Sequence, residues 1–174
     1  SLELGWIHRN SEESRIRSLL TRWGVQRVEL IDGGLQTEVI DARVVSLTNQ
    51  AGDNFRAIYR RTREVLRAPF TIWNPDSSSG EQPIVIPIGE YTYVTPTWVI
   101  QSQAARKLSA TVIYRTGDFF HGDRNNIDAQ LTWLPSRHFR TFLSYSYNDI
   151  SLPEGDFALR LARVGLDITF SSTL

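Results

Sequence analysis

Apolar and polar residues alternate with a period of two along most of the chain. Near the C-terminus Ala162, Val164, Leu166, Ile168 and Phe170 fall on one face, and Arg163, Gly165, Asp167, Thr169 and Ser171 on the other. A helix would mix these groups around its girth, so the spacing predicts a half-buried strand. Ile127, Ala129, Leu131 and Trp133 alternate in the same way with Asp128, Gln130 and Thr132. Phe139, Leu143, Tyr145 and Tyr147 oppose Arg140, Ser144, Ser146 and Asn148. Leu108, Ala110, Val112 and Tyr114 oppose Lys107, Ser109, Thr111 and Arg115, with Ile113 as an exception. Phe55, Ala57 and Tyr59 oppose Asn54, Arg56 and Arg60, with Ile58 as an exception. Ile40, Ala42 and Val44 oppose Asp41 and Arg43, and Val94, Trp98 and Ile100 form a further stripe.

Turn residues punctuate these runs: Asp32-Gly33-Gly34, Asn49 to Asp53, Gly117 to Gly122, Pro135-Ser136 and Pro153-Glu154-Gly155. Such clusters between alternating runs mark hairpins. The expected fold is all-β: an antiparallel up-and-down meander barrel, or part of one, with about eight or nine strands and a single domain over 1–174. Two stretches break the rhythm. Asn10 to Gly24 reads either as a short helix or as a strand; Asn10 with Glu13 resembles a capping box, and Ile16, Leu19, Leu20 and Trp23 share a helical face. Val65 to Gly89, with Asp76-Ser77-Ser78-Ser79-Gly80, is too long for a tight hairpin. It is either a solvent-facing loop or a segment folded into the interior.

Composition narrows the classes. Nineteen basic and nineteen acidic residues give a formal net charge of zero, whereas a nucleic-acid binder carries a basic excess. No apolar run is long enough for a membrane helix. A transmembrane barrel stays open, because alternate residues of its strands face a polar lumen. There is no cysteine, which removes disulfides, thiolate metal sites and thiol nucleophiles. Eighteen of the nineteen basic residues are Arg. High-GC coding accounts for that as readily as a confined interior in which guanidinium forks pair with carboxylates.

Four short stretches, Glu64–Phe70 (EVLRAPF), Ile86–Tyr91 (IPIGEY), Gly117–Gly122 (GDFFHG) and Ser151–Asp156 (SLPEGD), occur in order along roughly residues 50–174. In these the chain resembles the C-terminal outer-membrane β-barrel domain, of unknown function, that follows a carbohydrate-binding family 9-like module in large bacterial proteins. The resemblance implies the bacterial outer membrane, no known catalytic activity, no cofactor, and a chain that is the C-terminal part of a longer protein. In bacterial barrels the closing strand often ends on an aromatic residue, and this chain ends at Thr173-Leu174. That departure points to a chain cut from a longer one and leaves open whether these strands alone close a barrel.

The candidate residues follow from the pattern. Asp41, Arg43, Arg56, Arg60, Arg115, Asp128, Arg140, Arg163 and Asp167 lie on the polar faces and are expected to line a lumen, as ion-pair ladders or as a pore biased toward anions. Tyr91, Tyr93, Trp98, Trp133, Tyr145 and Tyr147 are expected at the membrane interfaces. Asp118, His121 and Asp123 are the one candidate metal set, against a solvated turn, which is the favoured reading. Neither a Gly-x-Ser-x-Gly elbow nor a phosphate loop is present, so no enzyme is expected. The first function is a pore, transporter or membrane anchor, with outer-membrane lipid and other outer-membrane or periplasmic proteins as partners and no nucleic acid. The alternatives are a soluble β-barrel or sandwich that binds a ligand such as a carbohydrate, and a structural fragment. The side to which the apolar stripes face separates the first two.

Overall fold

The structure is a computed structural model and describes residues 1–11, 14–31, 33–75 and 82–170. Twelve strands follow one another: β1 (Leu2–Arg9), β2 (Ile16–Glu29), β3 (Leu35–Asn49), β4 (Asn54–Leu66), β5 (Phe70–Trp73), β6 (Ile84–Ile86), β7 (Gly89–Val94), β8 (Thr97–Gln101), β9 (Leu108–Phe119), β10 (Gly122–Ser136), β11 (Phe139–Leu152) and β12 (Gly155–Ile168). Ten of them form one antiparallel meander in the order β1-β2-β3-β4-β8-β9-β10-β11-β12, with β7 also on β4. β5 and β6 pair separately. Among the described residues β1 and β12 pair on one side only, so the sheet is open rather than a closed barrel.

The strand count differs from the expected eight or nine for two reasons. β7 and β8 share one position across the sheet, both pairing with β4. They are separated by Thr95 and Pro96, the latter having no N–H to continue a ladder. Thr95 N–H still reaches the Arg60 carbonyl at 2.8 Å, and Thr116 N–H the Pro96 carbonyl at 3.2 Å. Gly117 faces this break with φ of 115°, and a Cβ there would run into the Val94 carbonyl and Pro96. The sheet is thus nine positions wide. The second reason is the β5–β6 hairpin inside the long Val65–Gly89 segment, whose Asp76–Gly80 stretch lies outside the described residues.

The helix alternative near the N-terminus is not what forms. Ile16 to Glu29 is strand β2, paired with β3 along its length and with β1 over residues 18–25, and the side chains of the supposed helical face divide between the two faces of the sheet. Asn10 closes the β1–β2 turn instead, its N–H on the Arg17 carbonyl at 3.0 Å and its side-chain amide on the Ile16 carbonyl at 2.9 Å. Its proposed capping partner Glu13 lies outside the described residues, as do Asp32 and Ser171. Ladder pairing with two neighbours over residues 18–25 outweighs weak local helix signals. One bulge also corrects the alternation: the register shifts between Arg43 and Val45, so Val44 is the extra residue of β3.

Directly opposite residues of neighbouring strands project to the same side. Followed across the sheet, the register sorts the side chains into two faces. One carries the rows Leu47–Phe55–Ile100–Val112–Ala129–Tyr145–Ala162 and Ala110–Leu131–Leu143–Val164. The other carries Arg22–Arg43–Ile58–Thr97–Arg115–Asn126–Asn148 and Ser46–Arg56–Val99–Ile113–Asp128–Ser146. The buried apolar cluster lies on this second, polar face at one end of the strands. There Ile84 and Ile86 of β6 pack with Phe120, Ile150, Leu152 and Phe157, and Trp73 stacks on Phe157 at 5.7 Å. Of the two readings of the long segment, the structured part folds back over the polar face.

Candidate functional site

All nine expected polar-face charges, Asp41, Arg43, Arg56, Arg60, Arg115, Asp128, Arg140, Arg163 and Asp167, fall on one face of the sheet by register. Several are joined across strands. Arg60 Nη2 lies 2.6 Å from Asp41, its direct partner. Arg115 donates to Asp128 at 2.5 Å and to the Asn126 amide oxygen at 2.6 Å, while Ser146 donates to Asp128 at 2.6 Å. Arg56 donates to Gln101 at 3.2 Å. Arg140 and its register partner Asp167 stand 4.0 Å apart.

The pattern also brings in residues that alternation alone did not single out. Arg22, hidden in the supposed helix, pairs with Glu3 at 3.4 Å and stands directly opposite Arg43. Arg124 has the same parity as Asp128 on β10 and could have been read from it. Its guanidinium lies over the Phe119 ring at 4.7 Å. The buried Nε atoms of Arg43, Arg56 and Arg124 have no hydrogen-bond partner among the described residues.

The opposite face is apolar and uncovered. Val164 is 71% exposed, Trp133 50% and Leu131 42%, whereas Asn126, Thr132, Ser46 and Thr62 on the polar side are buried. The apolar face is thus left open, while the polar face is part-buried in the middle and open toward its edges, with Arg115 32% and Arg60 54% exposed. The total accessible area, 11932 Å², exceeds the about 8,700 Å² that a compact monomer of this mass exposes.

The six aromatic residues expected at membrane interfaces divide. Trp98 and Tyr147, with Tyr114, lie in one row of the apolar face, and Trp98 stacks on Tyr114 at 5.6 Å. Just beyond that row the same face turns polar, with Thr116, Asn125 and Asp149 opposite one another. Tyr145 lies one row further in. Trp133, edge-on to Phe139 at 6.2 Å, marks the far boundary. Tyr91 and Tyr93 do not belong to this set. They pair with Glu64 and Thr62 on the polar face and pack on Phe119 and Phe120 under the hairpin. Their odd positions, against Val94, Trp98 and Ile100 at even ones, already set them on the opposite face, because one register runs through Thr95 and Pro96.

Asp118, His121 and Asp123 do not converge, and no cluster of three metal-ligating side chains occurs among the described residues. Asp118 and Asp123 are register partners on β9 and β10. His121, in the two-residue turn with Phe120, reaches away to Glu154 of the β11–β12 turn at 2.8 Å and stacks on Tyr91. The trio separates because the turn aims the imidazole at the neighbouring hairpin tip. At the opposite end of the sheet Asp53 joins the β3–β4 turn to the β8–β9 loop. It accepts from Asn49 and from Gln103 N–H, both at 3.0 Å, and pairs with Arg106 at 2.9 Å. These donors, Asn49 first, hold its carboxyl down at about 2.

Protein-family models, curated proteins and solved structures were each compared with the chain, and none matches.

Proposed function

We propose that this chain is a membrane-embedded wall of an outer-membrane β-barrel, acting as pore, transporter or anchor without catalytic chemistry of its own. The observation that carries the reading is the contrast of the two faces: a broad apolar face left uncovered, and an Arg-rich face whose charges are paired across strands. A soluble sheet would hide the first and expose the second. Lipid is the solvent that reverses this order.

The dimensions support it. From Tyr147 to Phe139 the apolar face of β11 spans about 27 Å along the strand at ~3.4 Å per residue. At a tilt of about 45° that is roughly 20 Å of thickness, near the ~25 Å apolar band of such barrels. The resemblance of the EVLRAPF, IPIGEY, GDFFHG and SLPEGD stretches agrees in direction. Embedding also requires that the edges β1 and β12 be paired, since open sheet edges do not stand in hydrocarbon.

The test is the amphiphile dependence of folding. Circular dichroism and gel mobility of the 174-residue chain, heated and unheated, are recorded in plain buffer and in detergent or lipid. A β spectrum and a heat-shifted band that need the amphiphile are expected. A monodisperse β-rich chain in plain buffer would refute the reading and favour the ligand-binding alternative.

A further inference from the structure

Six guanidinium groups crowd three consecutive rows at mid-height of the polar face: Arg22, Arg43, Arg56, Arg60, Arg115 and Arg124. Three acids answer them, Glu3 on Arg22, Asp41 on Arg60 and Asp128 on Arg115. Arg43, Arg56 and Arg124 have no carboxylate partner among the described residues. Arg43 stands directly opposite Arg22, and Arg56 is its diagonal neighbour on β4, two residues from the Ile58 that Arg43 faces. Like charges directly opposite destabilise a sheet. The Nε atoms of Arg43 and Arg56 are moreover buried and unpaired among the described residues, a state that costs free energy until an acceptor arrives. Open volume adjoins Arg43, a groove of about 410 Å³ that Arg22, Arg43 and Arg60 line together with the carboxylates of Glu3 and Asp41.

We propose that Arg43 and Arg56 bind a small oxyanion. Planar guanidinium forks match phosphate, sulfate or carboxylate oxygens and not a bare halide. Bound there, the anion accepts from both free Nε–H groups and separates Arg22 from Arg43. The site stands on the register and on the unpaired donors. Its use as the selectivity filter of a pore rests on the membrane reading above.

The probe is inorganic phosphate, titrated into the folded 174-residue chain in a phosphate-free nonionic detergent, with ionic strength held constant by sodium chloride. Saturable heat and a rising thermal midpoint are expected with phosphate and not with chloride alone. The R43Q/R56Q double variant binds at least about tenfold more weakly, while R140Q, several rows away, binds as the parent does. In the unmutated chain, phosphate shields Arg43 and Arg56, but not Arg137, from an arginine-selective dicarbonyl reagent. This measurement stands even if the double variant fails to fold. Equal stabilisation by chloride and phosphate, or unchanged modification of Arg43 and Arg56, overturns the site. Reversal potentials across a planar bilayer are read separately. Phosphate binding with no conductance keeps the site and removes the pore, and phosphate binding in plain buffer keeps the site and removes the membrane.

Discussion

Leu131→Lys tests the orientation of the sheet most directly. Leu131 sits in the row Ala110–Leu131–Leu143–Val164. That row lies inside the apolar band, between the Trp98–Tyr114–Tyr147 row and Trp133. The side chain is 42% exposed, so little packing is lost with it. In water an exposed apolar-to-charged change moves stability by no more than about 0.5 kcal/mol. At the middle of a bilayer the same Lys costs about 2–4 kcal/mol on the lipid face of a barrel. With a urea dependence of ~2 kcal/mol per molar for a chain of this size, the midpoint falls by about 1–2 M. The assay is equilibrium urea unfolding in phospholipid vesicles, followed by tryptophan emission and by gel mobility. Ala158→Lys is the matched control. Ala158 pairs with Asp149 on the same face, above the aromatic row, where a charge costs about 0–1 kcal/mol. If Leu131→Lys and Ala158→Lys shift the midpoint equally, the apolar face is not in lipid and the reasoning fails.

Other perturbations probe the supports of the sheet. Ile86 is fully buried under the hairpin cluster, and Ile86→Ala is expected to cost about 2–5 kcal/mol, with hydrogen exchange rising first in residues 70–73 and 84–86; protection equal to the parent's there would show that the hairpin does not depend on this side chain. Gly117→Val is expected to cost more than about 2 kcal/mol, because φ is 115° and the new side chain meets the Val94 carbonyl; an unchanged unfolding midpoint would contradict the close approach. Asp53, held at about 2 against an ordinary 3.8, keeps its whole contribution above about pH 4 and loses it as the pH falls toward 2. Asp53→Asn should therefore flatten that acid limb of the stability curve, and an identical limb in both proteins would deny the turn-to-loop tie.

Much of the sheet was legible because a strand repeats every two residues and the faces differ in polarity. The nine polar-face charges follow from parity alone once each strand is in register. Parity also separates Tyr91 and Tyr93, at odd positions, from Val94, Trp98 and Ile100, at even ones, and it holds through Pro96; grouping the aromatics by nearness to strand ends passed over it. What failed elsewhere was whatever parity does not carry across. The bulge at Val44 reverses the alternation inside β3. Arg22 was lost because Ile16, Leu19, Leu20 and Trp23 satisfy a helical spacing as well as a strand in contact with two neighbours. The His121–Glu154 contact joins two hairpin tips 33 residues apart in sequence, and no local spacing encodes it.

Strand parity sets one further condition on the membrane reading. In an antiparallel meander each position reverses direction, so the first and ninth positions, β1 and β12, run the same way. Joining them would make a parallel pair between an eight-residue edge and a fourteen-residue edge. An antiparallel closure instead takes an odd number of added strands between them. Each added strand must carry the same alternation, apolar toward lipid and polar toward Arg163 and Asp167 on one side and Glu3 on the other. A single inserted strand gives ten positions and a small barrel. On the membrane reading, the open edges and the odd width thus have one physical account: the surroundings of the sheet contribute backbone as well as bilayer.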